Sequence, residues 1–234
     1  MGLCLTGTAA DVADVVFLTN DSLNVEWVAE NLLENTYCYN EIRNMKGISG
    51  DYKGVRVTFQ GEGIGPVNAA MYAVEIAGEF DPKILVKVDN CKALQKDIPL
   101  GTYLLAQTAH TTSNINKRRF GGMTFPAAAD FELLNQVYER AKKDKVNVKV
   151  GPVLSIEHRG ELGIACKFAE RGALAIDMEM NQTFTAGQRF HKPCVGILVV
   201  TENLATGEKM CEAQRKEAFH GLVRFALDAV LEVE

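Results

Sequence analysis

Histidine and cysteine are too few, and too scattered, to build the sites they usually build. Four histidines in 234 residues share no ligand spacing, so no metal site suggests itself. Six cysteines, at positions 4, 38, 91, 166, 194 and 211, fall at no paired spacing, which argues against a disulfide framework. Cys91, Cys166 and Cys194 sit in or beside apolar runs, as reduced core thiols do, so a reducing and therefore cytoplasmic compartment is expected. No apolar stretch reaches the length of a membrane span, and the N-terminus lacks a signal-peptide pattern. Basic charge is not in excess either: 25 Lys and Arg stand against 30 Asp and Glu, a net charge of −5. That balance gives no reason to expect a nucleic acid or a membrane as partner, and the one basic run, Lys117–Arg119, is short. No linker, repeat or low-complexity segment divides the chain, so residues 1–234 are expected to form a single domain.

What is present is alternation. Asp14–Thr19, Val55–Gln60, Ile84–Val88, Val146–Ile156 and Cys194–Thr201 read as strands. Between them lie helical patterns at about 22–33, 66–78, 129–143, 161–171, 181–190 and 210–233, and the 110–124 segment reads as a polar loop. Strands alternating with helices predict an α/β fold around a largely buried sheet. In such sheets ligands bind beyond the carboxyl ends of strands. Those ends hold Asn20-Asp21, Gly61–Gly65, Asp89-Asn90, Asp177–Glu179 and Glu202-Asn203. Polar groups and glycines gathered at five strand ends predict a composite pocket.

Glu179 is the most informative of these residues. It follows the apolar run Ala173–Ile176, so its carboxylate is poorly hydrated and needs a partner. Two adjacent hydroxyls of a sugar would supply two donors. A nearby arginine, or the open N-terminus of the helix expected from about Asn181, would serve equally well.

Several segments, in order, resemble the purine nucleoside phosphorylase and uridine phosphorylase family, and more distantly its nucleosidases. They are Asp11–Val16, Asn20–Leu23, Glu41–Gly47, Gly50–Gly54, Gly63–Gly65, Phe125–Phe131, Asp177–Glu179 and the Thr201–Asn203 strand end with Arg215. The resemblance implies a three-layer α/β fold, with a central mixed β-sheet flanked by helices. It also implies phosphorolysis of a nucleoside, purine or uridine, with phosphate as co-substrate and no cofactor. The expected assembly is a homodimer or a hexamer built as a trimer of dimers.

Three tasks follow from the resemblance. Ribose binding falls to Glu179, with Met178 and Ile64 packing on the sugar. Phosphate binding falls to Asn20, Asn24, Arg43, Lys87 and Asn90, where only Arg43, lent by a neighbouring subunit, keeps the family's residue. Lys87 keeps a charge but loses the bidentate fork, Asn24 loses the charge, and Asp89 places a carboxylate where the family has glycine. Stabilising the leaving base falls to Glu202 and Arg215, thirteen residues apart, with Arg159 and Asp177 beside the base and Cys4 in place of a neighbour's histidine. Glu202 reaches one methylene further than the family's aspartate, about 1.5 Å. Each task has an alternative: Lys87 and Asn90 could rearrange and hold phosphate weakly, and Glu202 with Arg215 could be a structural ion pair. Water could replace phosphate, with Asp21 or Asp89 activating it, or the site could bind a nucleoside without turning it over.

Overall fold

The computed structural model describes residue 2 and residues 4–233. Nine strands form one mixed sheet: β1 (Val15–Thr19), β2 (Glu34–Asn40), β3 (Gly47–Tyr52), β4 (Val55–Gly61), β5 (Ile84–Ala93), β6 (Tyr103–Thr111), β7 (Val148–Ser155), β8 (Ala175–Asp177) and β9 (Cys194–Asn203). Their order is β2-β3-β4-β1-β5-β8-β7-β6-β9, and β5 also pairs with β9. Strands β5, β8, β7, β6 and β9 therefore close into a ring, with β5 as the seam. β5 runs parallel to β1 and β9 and antiparallel to β8.

Helices cover both faces. α2 (Pro66–Glu75) and α6 (Met180–Arg189) pack with Leu85, Leu104 and Leu198 in one apolar core. α1 (Ser22–Asn31), α4 (Phe131–Lys143) and α7 (Glu212–Leu231) cover Phe17, Val86 and Val88 on the other face. This is the expected flanked mixed sheet. Local chemistry sets the helix starts: the Asp21 carboxylate accepts the Leu23 N–H at 2.9 Å, and Pro66 sits in the first turn of α2.

Three expectations change. β5 and β9 run further than their apolar cores suggest, so Asp89, Asn90 and Glu202 lie inside strands, where the ladder continues across polar residues. The 110–124 loop contains a short helix, α3 (Ile115–Arg119). Cys166 is exposed on α5 (Leu162–Ala169), because its position faces away from the small core formed by Ala165 and Ile176. Among the described residues, no helix is long and apolar enough to cross a membrane.

Candidate active site

Successive strand residues face opposite sides, so Lys87 and Asp89 share a face. They share it with Leu85, which lies in the core beneath α2 and α6. An ammonium on that face has no water and must find carboxylates. Lys87 Nζ lies 2.6 Å from Glu62 Oε1, 3.0 Å from Asp89 Oδ2 and 3.9 Å from Glu179 Oε2. Lys87 and Glu62 are fully buried and Asp89 almost so. Burial pulls the Lys87 pKa down, but the three carboxylates outweigh it and hold the amine protonated. Burial raises the Glu62 pKa, opposed by Lys87. Glu62 Oε2 has no hydrogen-bond partner among the described residues.

Asp89 does more than pair with Lys87. Its Oδ2 accepts the Asn20 N–H at 2.9 Å, and its Oδ1 accepts the Asn90 N–H at 2.9 Å. A carboxylate of this chain thus occupies the donors that would otherwise greet an incoming anion. Lys87, expected among the phosphate ligands with its fork lost, has its ammonium enclosed, because three carboxylates from β5 and from the ends of β4 and β8 converge on it.

Glu179 is buried, and its Oε1 accepts the Gly65 N–H at 2.7 Å. Gly65 adopts φ +99°, a left-handed conformation that suits glycine and turns its N–H toward the carboxylate. Among the described residues, neither an arginine nor a helix-capping contact holds the Glu179 side chain. Burial, with Asp89 and Asp177 adding to it and Lys87 opposing, pushes the Glu179 pKa up to about 8. The capping work falls instead to Asp177, whose Oδ2 accepts the N–H groups of Glu179 and Met180 and whose Oδ1 accepts the Ser155 hydroxyl. Asp177, expected beside the base, lines the cavity while its oxygens anchor the start of α6.

A cavity of about 240 Å³ opens at these strand ends. It brings together nine of the expected residues: Asn20, Ile64, Asn90, Arg159, Asp177, Met178, Glu179, Glu202 and Arg215. Asn24 lines an adjoining cavity of about 510 Å³ that shares Asn20, Asn90 and Arg215. The Asn24 amide donates to the Thr19 hydroxyl at 3.1 Å. Arg43 is exposed on a short 3₁₀ turn, Ile42–Asn44, and lines neither cavity. Cys4 is buried in its own chain, its N–H donating to Glu75, so its thiol does not present itself to a neighbour. Another cavity, about 480 Å³ beside Thr108, Phe125 and Asn181, contains none of the expected residues.

At the far wall, Glu202 pairs with Lys92 at 2.8 Å rather than with Arg215. A bulge explains the pairing. Cys91 lies opposite Val200 and Lys92 opposite Glu202, so one residue is skipped on β9. The expected Glu202–Arg215 pair is thus replaced by a cross-strand one, although both residues line the cavity. Lys92 and Lys209 also line it, and neither was expected. Glu62 was missed as well, because it reads as a loop residue between glycines. Strand period could have placed Lys87 and Asp89 together; nothing in the sequence marks the bulge.

Residues 14–232 match the sequence profile of the Phosphorylase superfamily. Among the similar proteins are several named purine nucleoside phosphorylase DeoD-type. That of Alkaliphilus metalliredigens is 35% identical over 97% of this chain and 99% of its own. That of Bacillus velezensis is 34% identical over 98% and 100%, and that of Bacillus cereus strain ZK / E33L 32% over 99% and 100%. With a profile spanning nearly its whole length and full-length relatives above 30% identity, the chain belongs to the Phosphorylase superfamily.

Proposed function

We propose that the protein cleaves the N-glycosidic bond of a purine nucleoside with phosphate, releasing the base and ribose 1-phosphate, as its relatives' name describes for them. The observation that carries this reading is Glu179: a buried carboxylate, oriented by the Gly65 N–H, beside Met178 and Ile64 in a nucleoside-sized cleft. Its second oxygen faces Lys87 at 3.9 Å, too long for a hydrogen bond, and so keeps acceptor capacity for ribose hydroxyls. Such bonds strengthen as the sugar ring flattens toward an oxocarbenium-like state. The C1′–N bond breaks with its electron pair moving to the base, and a phosphate oxygen attacks C1′. Glu202 is the carboxyl group placed to protonate or hold the departing base, with Lys92 positioning it. Neither cofactor nor metal is needed for this chemistry.

One observation favours a second reading, in which water is the acceptor. Asp89 already holds the Asn20 N–H and Lys87, leaving a dianion few free donors and a like charge to face. A neutral acceptor suffers no such penalty, and Asp89 could take its proton. The deciding experiment is a nucleoside panel assayed with and without phosphate, with the sugar product identified. Phosphate-dependent ribose 1-phosphate supports the first reading, and phosphate-independent free ribose the second. Tight nucleoside binding without turnover would overturn both and leave a binding protein. A cytoplasmic location and a dimer or trimer of dimers, to which Arg43 contributes across the interface, complete the proposal. Sedimentation equilibrium at micromolar concentration tests the assembly.

A further inference from the structure

The charges lining the cavity are segregated. At the sugar end, Asp177 and Glu179 are buried, and their oxygens are turned to backbone N–H groups, Ser155 and Lys87. At the opposite wall, four cations arrive from four separate places: Lys92 from β5, Arg159 from the 3₁₀ turn before α5, Lys209 from the segment after β9, and Arg215 from α7. One carboxylate, Glu202, stands among them and is engaged by Lys92 at 2.8 Å. Among the described residues, Arg159, Lys209 and Arg215 are exposed, line the cavity and have no carboxylate within ion-pair distance. Four cations converging on one concave surface raise the positive potential there. A neutral purine meets that potential only with the charge that develops as it leaves, whereas an anionic base meets it from the moment of binding.

We propose that the preferred substrate is a nucleoside whose base carries a negative charge, recognised by Lys92, Arg159, Lys209 and Arg215. This rests on the nucleoside-cleaving reading above and adds the substrate class to it. The charge has two chemical sources: a dioxopurine ring that ionises in mildly acidic water, or a neutral purine bearing a carboxylate substituent. Either places the anion on the side of the base away from the ribose, where the cations are.

The experiment compares kcat/KM for xanthosine, N6-succinyladenosine, inosine and adenosine, each at low and at moderate KCl. At least one anionic nucleoside should exceed both neutral ones by about tenfold or more, and the advantage should shrink with salt. A preference for xanthosine assigns the charge to the ring, and one for succinyladenosine assigns it to the substituent. The double variant Arg159→Gln/Lys209→Gln, with its fold checked by urea unfolding, should bring the anionic-to-neutral ratio down severalfold, whatever its absolute rate. Cleavage of inosine or adenosine with no anionic advantage overturns the proposal while sparing the nucleoside-cleaving reading. If nothing is cleaved, that reading falls, and the ratio of calorimetric Kd values for the same four compounds decides the proposal by the same tenfold criterion. A last arm titrates inorganic phosphate alone. If its affinity drops in the double variant while the nucleoside ratio does not, the cations serve a phosphate and the proposal is wrong.

Discussion

Removing the ammonium of Lys87 should expose how the site is held together. Methionine at position 87 nearly keeps the volume and deletes the charge, leaving Glu62, Asp89 and Glu179 facing one another without a cation. Breaking a buried ion pair from one side costs about 3–5 kcal/mol, against a total stability of about 5–15 kcal/mol for a typical domain. The loss should depend on pH, and the sign follows from linkage. Burial raises the pKa values of Glu62, Asp177 and Glu179, with Glu179 at about 8. A carboxyl whose folded pKa is raised stabilises the fold fully below its unfolded pKa and loses that contribution as pH rises toward the folded value. Without Lys87 those values climb further. Lys87→Met should therefore be least destabilising near pH 5.5, where the cluster can take up protons, and most destabilising near pH 8. Urea unfolding at the two pH values, read as midpoint and slope, measures the difference. Adding Glu62→Gln should recover part of the loss at pH 8, because the two residues share one interaction. A loss below about 1 kcal/mol, equal at both pH values, would refute the picture of a dry, ammonium-centred cluster.

Glu179→Ala should weaken nucleoside binding about tenfold or more, since it removes the acceptor for two hydroxyls whose bonds are worth about 0.5–1.5 kcal/mol each; near-parental affinity by calorimetry would end the ribose assignment. Asp89→Gly should tighten phosphate binding by freeing the Asn20 N–H and removing a like charge, and an unchanged phosphate isotherm would show that Asp89 does not obstruct the anion. Glu202→Gln should abolish most base release while sparing ribose binding through Glu179, and if every nucleoside is still cleaved at the parent's rate Glu202 has no part in the chemistry.

The fold was legible because hydrophobic period and helix punctuation agree along most of the chain. Asp21 and Pro66 mark helix starts that the structure keeps. The five polar strand ends, too, meet in one place. Limits appear where a contact depends on register or on distant loops. Lys87 looks like a ligand-facing cation until Glu62, 25 residues away, is seen against it. Asp177 and Glu179 are two residues apart and look interchangeable, yet one caps a helix and the other faces the cleft. Glu202 has the spacing that would suit Arg215, but a single skipped residue on β9 hands it to Lys92.

Taken with the sequence, these contacts describe a redistribution of charge within one cleft. On the proposed acceptor side, three of the five positions that resemble phosphate ligands are asparagines, and Lys87 is enclosed by Glu62, Asp89 and Glu179. On the proposed base side, Lys92 and Lys209 add to Arg159 and Arg215 around a single glutamate. The two changes act on the same transition state from opposite ends. Weaker hold on an anionic acceptor lowers the attraction that draws phosphate toward C1′. Stronger positive potential around the base favours the charge that develops on the leaving group as the glycosidic bond breaks. A reaction whose barrier is lowered mainly by stabilising the departing base depends less on a tightly held acceptor. It follows that Asp89→Gly and removal of the base-side cations should affect different quantities: the first should change the KM for phosphate, and the second kcat for the nucleoside. A variant set in which both changes fall on the same constant would mean that the two ends of the cleft are not independent.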